Sequence, residues 1–214
     1  MKIGVIDYGV GNLGSVVRAL EELRVNTSVI TCPIEMLSVD GFVLPGVGNF
    51  TDCAQILIRD GWSNALQDEV KGGGKPLLGI CLGMQLLASF GKEGAEHNQE
   101  KDTPGLGLIP GNVISLNELG CSMRVPHVGW NEVAGHSTGG GLFDGIPHGT
   151  DFYFVHSYAF IPEDPSHVLA TTHYDVQITA AIKNGNVWGT QFHPEKSSRA
   201  GFRLLRNFIE NQNC

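Results

Sequence analysis

Short apolar runs alternate with segments of helical periodicity over the first half of the chain. The runs "KIGVIDY", "TSVIT", "GFVLPG" and "KPLLGI" predict four strands, because they are rich in β-branched residues and leucine and are bounded by turn formers. Apolar residues at helical spacing predict helices over residues 14–23, 50–58, 63–71 and 82–90. Strands that alternate with helices predict a parallel sheet covered on both faces.

The second half changes to closely spaced, strand-like runs. These are "GNVISL", "RVPHVGWNEV", "DFYFVHSYAF", "HVLATTHY" and "ITAAIKNGNVWGTQF", the last with a hairpin turn predicted at Asn184-Gly185. Helical spacing returns over residues 198–212, where the large apolar residues share one face. We find no internal repeat and no linker, so we expect one α/β domain over residues 1–214. Its mostly parallel sheet would be flanked by helices and carry an added antiparallel section.

Composition and charge argue against several classes of protein. The formal net charge of −8 is the wrong sign for a nucleic-acid-binding protein. No apolar run approaches the roughly 20 residues of a membrane span, and the start of the chain lacks the features of a signal peptide. The five cysteines are scattered and form no C-x-x-C pair. We therefore expect a cytoplasmic protein without a disulfide framework, a metal site or a membrane partner.

A glycine-rich segment, "GVGNLG" at residues 9–14, matches the G-x-G-x-x-G fingerprint of dinucleotide-binding folds. That fingerprint also needs an acidic residue at the end of the second strand, to bind the ribose. Here Thr31 and Cys32 occupy that place, and Glu35 lies beyond a proline. The sequence therefore favours a packing turn or a partner-binding loop, with a dehydrogenase as the alternative.

Cys81 lies in "GICLG", the form G-x-C-x-G, between a predicted strand and a predicted helix. This is the thiol counterpart of the nucleophile elbow, in which flanking glycines allow a sharp bend. A cysteine at a helix start is favoured as thiolate, and the Leu82 N–H could donate to an oxyanion. The alternative is a buried structural cysteine.

A thiolate nucleophile needs a base and a group that orients the base. His193 and Glu195 follow directly on a predicted strand, and the carboxyl ends of parallel strands are where open sheets place their sites. The turn "PGVG" follows another such strand and could present backbone N–H groups to an anion, with the second oxyanion donor at Val47 or Gly48. Taken alone, each segment could also be an ordinary turn.

These three pieces, in this order, resemble the class I (triad) glutamine amidotransferases, and the resemblance covers nearly the whole chain. It implies a flavodoxin-like fold and no cofactor. The segments "DYGVGNLGSV", "GLGLIPG", "PHVGWN" and "FYFVHSY" narrow it to the branch that supplies ammonia to a (β/α)8 cyclase making imidazole glycerol phosphate for histidine biosynthesis.

The resemblance implies a role for each matching residue. Cys81 would attack the side-chain amide of L-glutamine, forming a thioester. His193 would protonate the departing ammonia and then activate water, while Glu195 orients the ring. The residues that match glutamine contacts are Gly48, Gln85, Glu93, Ser157 and Tyr158. Those that match the interface with the cyclase, as a heterodimer, are Asn12, Trp130 and Lys196.

Two alternatives share the fold. One is a related glutaminase that serves another acceptor, such as an amidotransferase of surface-sugar synthesis; the long polar segment Glu93–Asp102 leaves this open. The other is a non-catalytic binding subunit, against which the intact set of Cys81, His193 and Glu195 argues.

Overall fold

The computed structural model describes residues 1–95, 101–135 and 141–211. The helices are α1 (Leu13–Glu22), α2 (Phe50–Arg59), α3 (Trp62–Leu66), α4 (Leu82–Gln85) and α5 (Ser198–Glu210). The strands are β1 (Lys2–Ile6), β2 (Asn26–Ile30), β3 (Gly41–Gly46), β4 (Leu77–Cys81), β5 (Phe90–Gly91), β6 (Thr103–Pro104), β7 (Gly111–Ser115), β8 (His127–Gly135), β9 (Thr150–His156), β10 (Tyr158–Pro162), β11 (Val168–Tyr174), β12 (Val176–Asn184) and β13 (Val187–Thr190). A π-helical segment, Gln67–Gly72, continues α3.

The larger sheet has the order β2-β1-β3-β4-β13-β12-β11-β8-β9. Its first five strands pair in parallel, and its remaining strands pair antiparallel, which confirms the predicted central parallel sheet with an added antiparallel section. The hairpin between β12 and β13 turns at Gly185 and Asn186, as the sequence predicted within one residue.

Apart from the edge strand β2, the parallel strands are buried on both faces, because helices cover each face. Within β4, Leu77 belongs to the hydrophobic cluster on one face of the sheet and Leu78 to the cluster on the other. Helices α2 and α3 contribute Phe50 and Trp62 to the first cluster, and α5 contributes Phe208 to the second. Within the described residues, no helix is both long and apolar enough to cross a membrane.

The helix predicted over residues 82–90 is wrong, because α4 ends after one turn at Gln85. Beyond it, the carbonyls of Leu86, Leu87 and Ala88 accept hydrogen bonds from the backbone of Leu106–Ile109 instead of continuing the helix. This segment leads into a second sheet of order β10-β7-β5-β6. Tertiary hydrogen bonds therefore replace the last turns of the helix that the apolar spacing predicted.

The run "DFYFVHSYAF" was expected to be one strand and forms two. It divides at Ser157 into β9, which pairs with β8 in the larger sheet, and β10, which pairs with β7 in the smaller one. The chain therefore changes sheets at Ser157. This places the turn between β9 and β10 beside the carboxyl ends of the parallel strands.

Candidate active site

Cys81 is the last residue of β4, and Leu82 begins α4. The backbone of Cys81 has φ 55° and ψ −113°, a conformation that costs energy in any residue with a side chain. The residue is 7% exposed, and its thiol accepts from Nε2 of Gln191 at 3.8 Å and lies 3.8 Å from the carbonyl oxygen of Val155. Strain of this kind is typical of a nucleophile presented on a bend.

The two glycines of "GICLG" are required by close backbone contacts. A Cβ on Gly83 would overlap the carbonyl oxygen of Leu44 on β3, and one on Gly79 would lie 2.6 Å from the Gly83 oxygen. A side chain at Gly83 would push the bend away from β3, and one at Gly79 would push β4 away from the start of α4. Because α4 is a single turn, its macrodipole is weaker than that of the nine-residue helix predicted from the sequence.

His193 and Glu195 form a buried pair. Nδ1 of the ring lies 2.7 Å from Oε1 of Glu195, and the two side chains are 3% and 2% exposed. The backbone of His193 is held on both sides, since its N–H donates to Tyr153 at 2.9 Å and its carbonyl accepts from Oγ of Ser197 at 2.6 Å. The ring orientation is therefore fixed by its neighbours.

The other ring nitrogen of His193, Nε2, is buried and has no hydrogen-bond partner among the described residues. Burial lowers the pKa of His193, but its interactions with Cys81 and then Glu195 outweigh burial and raise the pKa to about 9. The ring is thus poised to hold a proton opposite the thiol. A thiol and an imidazole in this relation can carry out nucleophilic attack with general acid–base catalysis.

The turn after β3 lies beside Cys81, because Gly46 pairs with Cys81 in the sheet. Gly48 has φ +104°, which favours glycine, and the carbonyl oxygen of Val47 accepts from Sγ of Cys53 at 3.7 Å. Across a trans peptide the N–H points opposite to the carbonyl, so the N–H of Gly48 is directed away from Cys53.

One cavity of about 220 Å³ brings most of the sequence-predicted residues together. Its lining includes Val47, Gly48, Cys81, Leu82, Gln85, Glu93, Ser157, Tyr158, His193 and Lys196. Glu195 lies behind His193 and does not line it, and neither do Asn12 and Trp130. Four sequence segments that are far apart in the chain thus meet at the carboxyl ends of β3, β4 and β13.

Glu93 has a structural contact as well as a place in the cavity wall. Its Oε2 accepts from the N–H of Phe50 at 3.1 Å, at the first turn of α2, where an acidic side chain is favourable. Residues 96–100 of the segment that the sequence left open lie outside the described residues.

The three residues matched to a partner interface are on the surface. Trp130 on β8 is 53% exposed and its ring centroid lies 6.0 Å from that of Tyr153. Nζ of Lys196 lies 5.8 Å from the centroid of the same Tyr153 ring, which places Trp130 and Lys196 near each other. Asn12 is exposed and precedes α1.

The glycine-rich segment at residues 9–14 packs beside the turn after β3. A Cβ on Gly11 would lie 3.7 Å from the side chain of Pro45, and one on Gly48 would lie 3.9 Å from Val10. Glu35 is used locally: its Oε2 accepts the N–H of Thr31 at 2.6 Å and helps to cap the turn that follows. The ribose contact that a dinucleotide site needs is therefore not made by this carboxylate.

Sequence reasoning missed Gln191 and His156. Nε2 of Gln85 donates to Oε1 of Gln191 at 2.9 Å, so Gln191 links Gln85 to Cys81. His156 lines the cavity and is buried. Gln191 stands two positions before His193 at the end of β13, and that position was the available signal. No signal in the sequence could have identified His156, because the pairing of strands that are far apart in the chain brings it to the site.

Comparisons with known proteins identify the family. The model of the glutamine amidotransferase class-I family matches residues 4–211. The chain is 47% identical over 208 residues to imidazole glycerol phosphate synthase subunit HisH of Moorella thermoacetica, covering 97% of this chain and 94% of that protein. It is 45% identical over 215 residues to the HisH subunit of Halobacterium salinarum, covering 97% and 92%.

A solved structure titled PurLQS from Thermotoga maritima superposes with a TM-score of 0.76 at 17% identity, covering 99% of this chain and 98% of that chain. At that identity the likeness shows the fold alone. The match over residues 4–211 and the close relatives agree with the arrangement of thiol, histidine and glutamate at the strand ends. The chain therefore belongs to the class I glutamine amidotransferase family and is similar over nearly its whole length to the HisH subunits of imidazole glycerol phosphate synthase.

Proposed function

We propose that this chain is the glutaminase subunit of an imidazole glycerol phosphate synthase. It hydrolyses L-glutamine to glutamate and ammonia, and it delivers the ammonia to a (β/α)8 cyclase with which it forms a heterodimer. The cyclase then forms imidazole glycerol phosphate and AICAR in histidine biosynthesis. The observation that carries the proposal is the strained thiol of Cys81, which shares one cavity with the buried His193–Glu195 pair.

In the first half-reaction, Sγ of Cys81, whose proton is already held on Nε2 of His193, attacks the side-chain carbonyl carbon of glutamine. Negative charge develops on the carbonyl oxygen, which the N–H of Leu82 and an N–H of the Val47–Gly48 turn stabilise. His193 returns the proton to the departing nitrogen, so that ammonia leaves and a thioester remains. Glu195 keeps Nδ1 of the ring protonated, which leaves Nε2 to exchange protons.

In the second half-reaction, His193 removes a proton from a water molecule that attacks the thioester carbonyl. The carbon–sulfur bond breaks, Sγ leaves with the bonding electrons beside the protonated ring of His193, and glutamate is released. Gln85, Glu93, Ser157 and Tyr158 are the proposed substrate contacts, because all four line the cavity.

The surface beside the cavity supports the assignment of a partner. Val128 and Val155 are cross-strand neighbours on β8 and β9, with 55% and 37% of their surface exposed, and Trp130 lies on the same face of β8. Val155 also lines the cavity, so this apolar patch reaches the place where ammonia forms. Exposed apolar residues next to a site are typical of a protein interface. We propose that the cyclase binds here, with Lys196 at the edge of the patch, and that the exposed Asn12 before α1 also contacts it.

We further propose that residues 1–214 form one domain and that the protein works in the cytoplasm. The match to the family model over residues 4–211 supports the first proposal. The cysteines Cys32, Cys53, Cys81 and Cys121 are free, as is usual in a reducing compartment.

Glutamate release by the complex with the cyclase tests the catalytic proposal. We expect Cys81→Ala to abolish it, while Cys32→Ser, a change to a partly exposed thiol that keeps the local cap, leaves it unchanged. Glutamate release by Cys81→Ala at the wild-type rate would refute the role of the thiol.

Isolation of the partner tests the pathway. A cyclase that forms imidazole glycerol phosphate is the expected partner, and a synthase of surface sugars would assign the same glutaminase chemistry to the alternative acceptor. We also expect glutaminase activity to rise when the cyclase and its ligand are present. Equal rates for the chain alone and in the complex would contradict that coupling.

A further inference from the structure

Two buried histidines pair across neighbouring strands beside the cavity. His127 on β8 lies opposite His156 on β9, and Nδ1 of His127 is 2.9 Å from Nε2 of His156. The ring of His127 stacks between Phe154 and Tyr174, with centroid distances of 4.9 and 4.1 Å. Only His156 of the pair lines the cavity. His127 therefore reaches the active site only through its neighbour.

The direction of this hydrogen bond follows from the cavity side. Nδ1 of His156 lies 2.8 Å from the carbonyl oxygen of Tyr158. A carbonyl only accepts, so Nδ1 of His156 carries a proton. In a neutral ring its Nε2 is then an acceptor, and Nδ1 of His127 must be the donor.

The opposite end of the pair requires the same direction. Oδ1 of Asn131 accepts the N–H of Glu132 at 2.9 Å, and its Nδ2 donates to the carbonyl of His173 at 2.9 Å, which fixes the orientation of the amide. Nδ2 also lies 3.4 Å from Nε2 of His127 and can only donate to it. His127 is therefore protonated on Nδ1, in agreement with the hydrogen bond between His156 and Tyr158. The hydrogen bonds to Tyr158 and to Asn131 thus both require neutral rings with the proton on Nδ1.

The same carbonyl connects the histidines to the nucleophile. The oxygen of Tyr158 also accepts from Nε2 of Gln85 at 3.0 Å, and Gln85 reaches Cys81 through Gln191. Hydrogen bonds that are buried or partly buried thus run without a break from Asn131 to the thiol. A protonated ring at either histidine would bring two N–H groups face to face and interrupt this chain.

We propose that His127 is a positioning residue for glutamine hydrolysis: through His156, its neutral ring holds the Ser157–Tyr158 turn and Gln85 where substrate binds. The inference rests on the proposed glutaminase function. Burial lowers the pKa of His127 to about 4, and burial, which outweighs the hydrogen bond to Tyr158, lowers that of His156 to about 3. Both rings therefore stay neutral throughout the working pH range.

Nitrogen NMR of the complex, with histidine labelled in this chain, tests the tautomers directly. We expect two rings that remain neutral with the proton on Nδ1 from pH 8 to pH 5, and we expect both signals to disappear or change in His127→Phe. A proton on Nε2 of either ring, or titration of either near pH 6.5, would overturn the proposal. This readout does not depend on catalysis, so it stands even if the glutaminase proposal fails.

Steady-state glutamate release by the complex tests the positioning role. His127→Phe keeps the aromatic stack and removes the donor, so we expect the KM for glutamine to rise about tenfold at a similar unfolding midpoint. His127→Asn keeps an N–H donor near Nδ1 and should recover most of the loss. His173→Asn is the matched control, because His173 is exposed and contributes only its backbone carbonyl.

Two kinetic outcomes would refute the role of His127. One is a wild-type KM in His127→Phe. The other is an equal loss in His127→Phe and His127→Asn, which would assign the effect to ring shape and not to the donor. If the wild-type complex releases no glutamate, the glutaminase proposal itself fails, while the NMR result still decides the hydrogen-bond direction.

Discussion

Replacing Glu195 by glutamine removes a buried negative charge 2.7 Å from Nδ1 of His193, while an amide oxygen remains to accept the ring N–H. Burial alone lowers the pKa of this histidine, but Cys81 and Glu195 raise it from 6.5 to about 9. That rise corresponds to about 3 kcal/mol in favour of the protonated ring, at roughly 1.36 kcal/mol per pKa unit. A neutral hydrogen bond is about half as strong as a charge-assisted one, so glutamine replaces only part of this stabilisation.

We therefore expect Glu195→Gln to lower kcat by up to about 100-fold toward pH 10 and by much less near pH 6, because less of the protonated ring is present at high pH to protonate the departing ammonia. The assay is glutamate release by the complex between pH 6 and pH 10. The wild-type rate should fall only as the pH approaches 9, whereas the fall in the variant should begin at lower pH. Glu163→Gln, at an exposed position, is the control for loss of a carboxylate. An unchanged pH profile in Glu195→Gln would refute this account of His193.

The same pKa predicts how stability depends on pH. The pKa of His193 in the folded chain lies above its ordinary value, so the stabilisation is complete below pH 6.5 and is lost as the pH rises through about 9. The unfolding midpoints of wild type and Glu195→Gln should therefore differ most near pH 6, and the difference should narrow toward pH 10. A difference that does not change with pH would contradict the reasoning.

Two further substitutions test the bend and the surface. Gly83→Ala should destabilise the fold by roughly 2 kcal/mol or more, since its Cβ would overlap the carbonyl of Leu44. Gly72→Ala is the control, because a Cβ at Gly72 would meet open space. Urea unfolding measures the stability of both variants. Trp130→Ala should weaken cyclase binding at least tenfold, measured by calorimetric titration with the cyclase, without lowering the unfolding midpoint. Phe90→Ala is the control, because it alters an exposed aromatic residue of the smaller sheet. Unchanged affinity in Trp130→Ala would exclude this face as the interface.

The architecture and most of the cavity could be predicted because their signals are local. Apolar runs of five to seven residues predicted the first four parallel strands, and the strand ends carried the residues now found around Cys81. Since parallel strands end at one edge of a sheet, three motifs far apart in the chain could be expected to meet there. The helix over residues 82–90 could not be predicted correctly, because backbone groups some twenty residues later take its carbonyls.

By itself, the sequence determined the strands and the places where the chain must bend: Gly79 and Gly83 admit the turn at Cys81, and Pro194 begins the short turn that contains Glu195. The strands and the bends follow from side-chain size and backbone freedom, which act within a few residues. Only the tertiary structure decided the hydrogen-bond chain from Asn131 through two histidines to Gln85 and Gln191. A buried polar group is satisfied by whichever partner the packing brings within about 3 Å, and no local pattern records that choice.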